Sequence, residues 1–448
     1  MIELLAAAAG ERPDHTAVVS PFGRRSYGEL ARAADAVATD LLRRGVRRIG
    51  VLEPDPALVL AVLAASSRIG VEACVYPLAA TPEAVDDLCA RFGHELLLTS
   101  RTGHAAPSAD PAEVVATEPG ELPDAPPSSR PLLVMTTGTS GYPRGVRHEW
   151  DRVLRVAQRI KPAPHQRWLL AYGLNQFGGL QVLIHVLASH AQLVAAESFQ
   201  PRDALAAMRR WGVTHASGTP TFWRFVLKEA RADGGPLPPL EQVTLGGEAV
   251  PGPLLDQLRR TFPDANLSQI YGATEFGQNV TVRDGRPGLP ASMLARGGDV
   301  ELKVVDGELW VRSRASMLGY HDDTSVDPDS WRATGDLVEV VGDRVEFRGR
   351  RTDVINVGGV KVHPLPVEER ASAVPGVALA RAYGRTSALT GSVVALELVL
   401  EQGYDAEAVE DAIRDACADL PPAARPRGFA FLDALQTTGN KLSRGQPA

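Results

Sequence analysis

Lysine is scarce in this chain. It stands only at 161, 228, 303, 361 and 441, although Lys and Arg together number 47. Arginine serves wherever a generic positive charge suffices, so each remaining lysine is more informative than usual. Cysteine is scarcer still: Cys74, Cys89 and Cys417 are too few and too scattered for a disulfide framework or a structural zinc site. There is no basic excess, and a net charge of −7 argues against the cationic surface that a nucleic-acid backbone demands. The longest strongly apolar run, 57–65, falls far short of the roughly 20 residues of a membrane helix. The opening MIELLAAAAGERPD has no basic stretch ahead of its apolar residues, which argues against a secretory signal. Internal repeats and low-complexity tails are absent too. The expectation left standing is a cytoplasmic, multi-domain enzyme: 448 residues fill about two to four packed units. Its 44% hydrophobic and 23% charged residues are the balance of an ordinary soluble protein.

From 27 to about 100, helical periodicity alternates with short strand-like runs. The spacing predicts a helix over 27–44, with Leu30, Ala34, Val37 and Leu41 on one stripe, then a strand at 48–52, a helix at 57–68 and a strand at 95–99. Strands separated by helices imply parallel pairing with both faces of the sheet covered. The Pro-, Ala- and Ser-rich stretch 105–130 reads as a surface excursion or linker. Candidate strands then follow at 132–135, 168–171, 193–196, 214–217, 243–245 and 267–270. Beyond Gly277 the texture changes to hairpins. The first surrounds Asp306-Gly307, a type I′ turn signal, and the second Gly342-Asp343. The last 98 or so residues read as a small α+β unit with a helix at 405–419, which puts a domain boundary near Arg351.

Four motifs carry chemistry. Thr136-Thr137-Gly138-Thr139-Ser140-Gly141-Tyr142-Pro143-Arg144-Gly145 follows a strand, and such hydroxyls and glycine amides can wrap a polyphosphate. It is not a Walker A loop, for no Gly-Lys-Ser/Thr follows; the same composition also suits a plain flexible turn. Tyr271-Gly272-Ala273-Thr274-Glu275 follows another strand, and a carboxylate beside a hydroxyl there suits Mg²⁺ with phosphate. Open α/β sheets bind ligands at the carboxyl ends of their strands, where both motifs fall. The third motif is Thr334-Gly335-Asp336, followed by Gly349-Arg350-Arg351-Thr352-Asp353 and Asn356-Val357-Gly358-Gly359. An Asp accepts from two ribose hydroxyls, and an Arg pairs with ribose or phosphate oxygens. A turn Asp and a solvated basic run explain the same residues more blandly. The fourth is Thr438-Gly439-Asn440-Lys441, holding one of the five lysines.

In this order the four motifs resemble the ANL superfamily of adenylate-forming enzymes, over nearly the whole chain from 27 to 444, and most of all aryl-CoA ligases of the benzoate type. The resemblance implies a large N-terminal domain (1–350) of parallel α/β subdomains plus a β-barrel-like subdomain. A small mobile α+β C-terminal domain (351–448) follows. It implies ATP, Mg²⁺ and coenzyme A as cofactors. An organic acid would be activated to acyl-AMP and passed to coenzyme A, or alternatively to a carrier-protein phosphopantetheine arm; a silent acyl-adenylate binder is the third reading. By the same resemblance Thr136, Thr137, Gly138, Thr139, Ser140, Gly141 and Arg144 form the phosphate loop, Arg144 replacing the usual Lys. Tyr271 stacks on adenine beside Gly272, Ala273, Gly247 and Glu248. Thr274 touches the α-phosphate, Glu275 ligates Mg²⁺, and Asp336 with Arg350 holds the ribose. Lys441 reaches the acid and the α-phosphate. Thr352 stands at the hinge, where Asp or Lys is usual, and Gly358 and Gly359 line the pantetheine tunnel. The acyl pocket would use Asn175, Phe177, Gly178, Ser217, Gly218 and Gly246. No Asp lies within 172–176 to pair with an ammonium, so a hydrophobic aryl, alicyclic or medium-chain acid fits better than an amino acid. A homodimer is left open, and neither nucleic acid nor membrane is expected as a partner.

Overall fold

The computed structural model describes residues 1–136, 143–323, 327, 329–387, 390–435, 437–438 and 441–442. Two parallel-rich sheets form its larger part. The seven-stranded sheet runs, from edge to edge, Gly319–Tyr320, Arg144–Glu149, Pro131–Thr136, Glu72–Val75, Arg48–Leu52, Leu96–Thr99 and Ser108–Ala109. The eight-stranded sheet runs Gly277–Val282, Asn266–Ala273, Gln242–Gly246, His215–Gly218, Arg167–Leu169, Gln192–Val194, Thr16–Ser20 and Gly23–Ser26.

The period-2 alternation of side chains makes five layers of this. Ile49, Val51, Leu96, Leu98, Leu132 and Val134 face one core; Leu97, Leu133 and Met135 face another. In the second sheet Leu193 and Trp168 face the first core, whereas Val194 and Leu169 face a third. Helices Ile2–Glu11, Tyr27–Arg44, Pro56–Ile69 and Phe177–Ser189 therefore lie between the sheets. Helix Pro82–Phe92 covers one outer face, and Pro201–Trp211, Pro220–Asp233 and Gly252–Thr261 cover the other. Truncating a fully buried side chain such as Leu98 to Ala would cost about 2–5 kcal/mol.

Helix Tyr27–Arg44 shows how locally the elements are specified. The Ser26 hydroxyl accepts from Glu29 N at 3.2 Å while the Glu29 carboxylate accepts from Ser26 N at 2.7 Å, a capping box. Gly45, at φ 67°, ends the helix in the left-handed region that glycine enters freely. The same holds for the first hairpin: Asp306 (φ 50°) and Gly307 (φ 73°) make the turn joining Val300–Val305 to Glu308–Ser313. These strands belong to a five-stranded antiparallel sheet completed by Arg332–Val341, Arg344–Arg350 and Leu289–Pro290.

After Arg350 a short 3₁₀ turn, Arg351–Asp353, leads to a separate core built from Ile355, Val367, Leu396, Leu398 and Ile413. Strands Val377–Ser387, Gly391–Leu400 and Gly428–Phe431 form its sheet, with helices Pro364–Ser372 and Ala406–Ala416 packed on it.

Two expectations need correction. The 105–130 stretch is not plain linker: Ser108–Ala109 extends the first sheet beside Leu96–Thr99, and Pro111–Val114 is a short helix capped by Asp110. The helix expected over 405–419 stops at Ala416. Ahead of residue 27, Thr16–Ser20 pairs in parallel with Gln192–Val194, a partner about 175 residues away.

Candidate active site

Strand ends assemble the site. Pro131–Thr136 and Arg144–Glu149 are antiparallel, with Thr136 opposite Arg144, so the glycine- and hydroxyl-rich loop leaves the sheet between them. Thr137, Gly138, Thr139, Ser140 and Gly141 lie outside the described residues. Arg91 steadies the loop's exit, donating to the Pro143 carbonyl and pairing with Asp322, both at 2.9 Å. In the other sheet, the ends of three neighbouring parallel strands deliver Ser217-Gly218, Gly246-Gly247-Glu248 and Tyr271–Glu275.

Asp336 sits opposite Arg350 across two strands, Oδ1 lying 3.3 Å from the guanidinium Nε, and its Oδ2 accepts from the Tyr271 hydroxyl at 2.8 Å. Burial raises the pKa of the Asp336 carboxyl above its ordinary value, against the pull of Arg350 and the Tyr271 hydrogen bond. Burial likewise holds the Tyr271 phenol protonated. The Tyr271 ring packs on Phe347 with centroids 5.3 Å apart. Gly335 precedes Asp336 at φ 78°, a conformation that positions the carboxylate and that a side chain would strain.

Glu275 is held from the other side. Its carbonyl accepts from Met317 N at 3.0 Å, and its Oε1 accepts from the Tyr320 hydroxyl at 3.3 Å. The Arg144 guanidinium lies over the face of that ring and also pairs with Asp323 at 3.1 Å. The expected phosphate cation is thus half-exposed and shared between an aromatic face and a carboxylate. Glu275 Oε2 has no protein partner among the described residues, where no cluster of three or more His, Cys, Asp or Glu could hold a metal by itself. That donor set fits Mg²⁺, which usually takes one or two carboxylates with phosphate oxygens completing its shell.

Thr274 is fixed through its backbone. His148, fully buried, donates from Nε2 to the Thr274 carbonyl at 2.8 Å, and its ring lies 5.4 Å from that of Phe177. Burial lowers the imidazole pKa to about 4, so the ring is neutral, and the bond to a carbonyl assigns the proton to Nε2. One side chain therefore links strand Arg144–Glu149, the Thr274-Glu275 turn and Phe177.

The residues expected to line an acyl pocket gather around buried Tyr172, whose hydroxyl bonds Ser217. A Cβ on Gly178 would stand 3.2 Å from the Tyr172 ring, and one on Gly218 only 2.4 Å from Phe222. Gly246 faces the Tyr172 hydroxyl, 3.7 Å from where its Cβ would be. Asn175 folds its carboxamide back over Gly173. Glu248 accepts from the Thr221 amide and hydroxyl, both at 3.0 Å, which ties it to the start of helix Pro220–Asp233.

Gly358 and Gly359 are not brought to this site; they cap an exposed hairpin, Ile355–Val357 with Val360–Val362. Thr352 lies in the 3₁₀ turn and donates to Asp353 at 2.9 Å. Lys441 is on a two-residue strand paired with Thr437–Thr438, and this hairpin lies against helix Pro220–Asp233. Sequence reasoning missed Tyr320, His148, Tyr172 and Thr221. Only Thr221 left a readable signal, in the Thr219-Pro220 helix start that places it in the first turn.

A family model described as AMP-binding enzyme matches residues 5–321, and one described as AMP-binding enzyme C-terminal domain matches 366–441. Phenyloxazoline synthase MbtB of Mycobacterium tuberculosis is 28% identical over 98% of this chain and 34% of that protein. The chain thus spans about a third of the length of the first curated relatives it matches. A 2-succinylbenzoate–CoA ligase of Bacillus licheniformis is 27% identical over 70% of this chain and 68% of its own. Among solved structures, the anthranilate CoA ligase AuaEII in complex with anthranoyl-AMP superposes with a TM-score of 0.87 at 20% identity, covering 99% of this chain and 95% of that one.

Proposed function

This chain belongs to the AMP-binding enzyme family, and on that premise we propose that it activates a hydrophobic carboxylic acid with ATP and transfers the acyl group to coenzyme A. The observation that carries the reading is the five-residue segment Tyr271–Glu275. One end supports the partly buried carboxylate of Asp336, and the other presents Glu275 with an oxygen to spare. A ribose acceptor and a metal-ready carboxylate at opposite ends of one short turn suit a nucleoside triphosphate. The named relatives support the acid and thiol classes, and the close packing of Gly178 and Gly246 against the Tyr172 side chain supports an acid without an ammonium group to pair.

A carboxylate approaching a triphosphate meets like charge, so the barrier falls by positioning and by cations placed where charge develops. Asp336, steadied by Tyr271 and Arg350, accepts from the ribose hydroxyls and fixes the nucleotide. Thr274, held through His148, aims its hydroxyl at the α-phosphate. Arg144 neutralises departing pyrophosphate, and Lys441 bridges acid and α-phosphate. Mg²⁺ bound at Glu275 would supply further charge neutralisation on the phosphates. The carboxylate oxygen bonds to the α-phosphorus as pyrophosphate leaves; the thiol sulfur then bonds to the acyl carbon as AMP leaves.

The test is acid-dependent exchange of labelled pyrophosphate into ATP over a panel of aryl, alicyclic and medium-chain acids, followed by thioester assay with coenzyme A. Exchange with an apolar acid and thioester formation are expected. No exchange with any member of the panel would overturn the proposal.

A further inference from the structure

Strand Arg332–Val341 does not run evenly past its neighbour. Ala333 lies opposite Trp310 and Leu337 opposite Glu308, so Thr334, Gly335 and Asp336 together face Leu309 alone. Such an excess lifts residues out of the ladder, re-aims a side chain and leaves backbone amides to find partners elsewhere. Side chains supply them here. The Thr334 hydroxyl donates to the Leu309 carbonyl at 2.8 Å and accepts from the Asp336 amide at 3.0 Å. The Gly335 amide donates to Glu308 Oε1 at 2.8 Å. Past the excess, Val338 N returns to the neighbouring chain, donating to the Gly307 carbonyl at 2.8 Å.

Glu308 comes directly after the Asp306-Gly307 turn and is buried, so its charge needs a partner. Its Oε2 pairs with the guanidinium of Arg351, the exposed first residue of the 3₁₀ turn that leads to the small C-terminal unit. Arg350 and Arg351 are consecutive and take Asp336 and Glu308 respectively, so both carboxylates are gripped from one point on the chain. Packing does not fix the peptide ahead of Asp336. Among the described residues, nothing lies within 4 Å of where a Cβ on Gly335 would stand. The bond from its amide to Glu308 is the restraint.

We propose that Glu308 is a positioning residue for the ribose carboxylate: through the Gly335 amide it sets the direction of Asp336, and Arg351 holds it in place. This rests on the reading of Asp336 as the acceptor of ribose hydroxyls. It makes nucleotide recognition depend on the first residue of the connecting turn.

The experiment measures, by calorimetry on the whole chain, Kd for Mg-ATP and for Mg-2′-deoxy-ATP. A hydrogen bond to a charged group is worth about tenfold, so the natural chain should favour ATP about tenfold. Glu308→Ala should bring that ratio toward one, the value expected of Asp336→Asn. Glu308→Gln keeps the volume and an acceptor for Gly335, and should restore part of the ratio. Arg351→Gln, at an exposed position that folding tolerates, should lower the ratio roughly threefold, and Arg351→Lys should recover it. Glu308 variants that weaken both nucleotides equally assign the residue to packing and overturn the proposal. A ratio unchanged in Arg351→Gln overturns the part given to Arg351. A ratio of one in the natural chain sinks the ribose role of Asp336 itself. Absence of pyrophosphate exchange with the ratio intact sinks the ligase reading and leaves the role of Glu308 standing.

Discussion

The guanidinium carbon of Arg144 lies 3.4 Å from the ring centre of Tyr320. That contact explains why Arg stands where Lys was expected: a planar guanidinium stacks on an aromatic face, whereas an ammonium is a compact, strongly hydrated point charge. The hydroxyl of the same ring reaches Glu275, so one tyrosine contacts both Arg144 and Glu275.

Tyr320→Phe keeps the stack and removes the hydrogen bond to Glu275. A bond to a charged group contributes about 1.5–3 kcal/mol, reduced here by its 3.3 Å length and partial exposure. The expected result is a rise in KM for Mg-ATP of roughly threefold to tenfold, with Tyr320→Leu worse because a half-exposed cation–π contact adds about 1 kcal/mol. Pyrophosphate-exchange kinetics equal to those of the natural chain would contradict this.

His148→Phe fills the same space but leaves the Thr274 carbonyl without its donor. An unsatisfied buried acceptor costs about 1–3 kcal/mol. Lower stability toward urea and a lower kcat for pyrophosphate exchange are expected, with partial recovery in His148→Gln. Equal losses in the Phe and Gln variants would assign His148 to packing alone.

Much of this was legible locally. The Tyr27–Arg44 helix carried its own start and stop, and Asp306-Gly307 announced a turn that needs positive φ twice. Alternating helix and strand periods gave the parallel sheets, because buried strands must be covered on both faces. Long-range pairing was illegible: nothing near Thr16–Ser20 says that its neighbour is Gln192–Val194. Tyr320 and His148 were missed for the same reason. Each acts on a residue more than forty positions away, and alone a Tyr after Gly or a His within a strand has no motif.

Acid should destabilise the chain earlier than ordinary carboxylate titration would. Burial lowers the pKa of His94, His148, His185 and His215 to about 4 each. Between an unfolded value near 6.5 and about 4, the unfolded chain binds more protons than the folded one. Stability therefore falls as pH drops through that window and is complete above it. Urea midpoints at pH 7.5 and pH 5 should differ clearly; coincident midpoints would refute the argument.

Asp336 has the opposite sign. Its raised pKa means that the folded state holds the proton to higher pH than the unfolded chain does, so its contribution to stability declines as pH rises through the raised value. Functionally, the protonated carboxyl is a poorer acceptor for ribose hydroxyls. KM for ATP should climb on acidification from a higher pH than an ordinary Asp would give, and Asp336→Asn should show a high KM with this dependence removed.

Lys441→Ala should abolish pyrophosphate exchange, by about 10²–10³-fold for a lost charge at the reacting centre, while ATP binding measured by calorimetry survives. Exchange comparable with the natural chain would remove Lys441 from the chemistry.

Thr221 and Arg224 are three residues apart on one helix, the first bonded to Glu248 and the second to Ser372 of the small unit. One helical turn therefore joins a contact with the small unit to the residue that anchors Glu248 beside the strand ends.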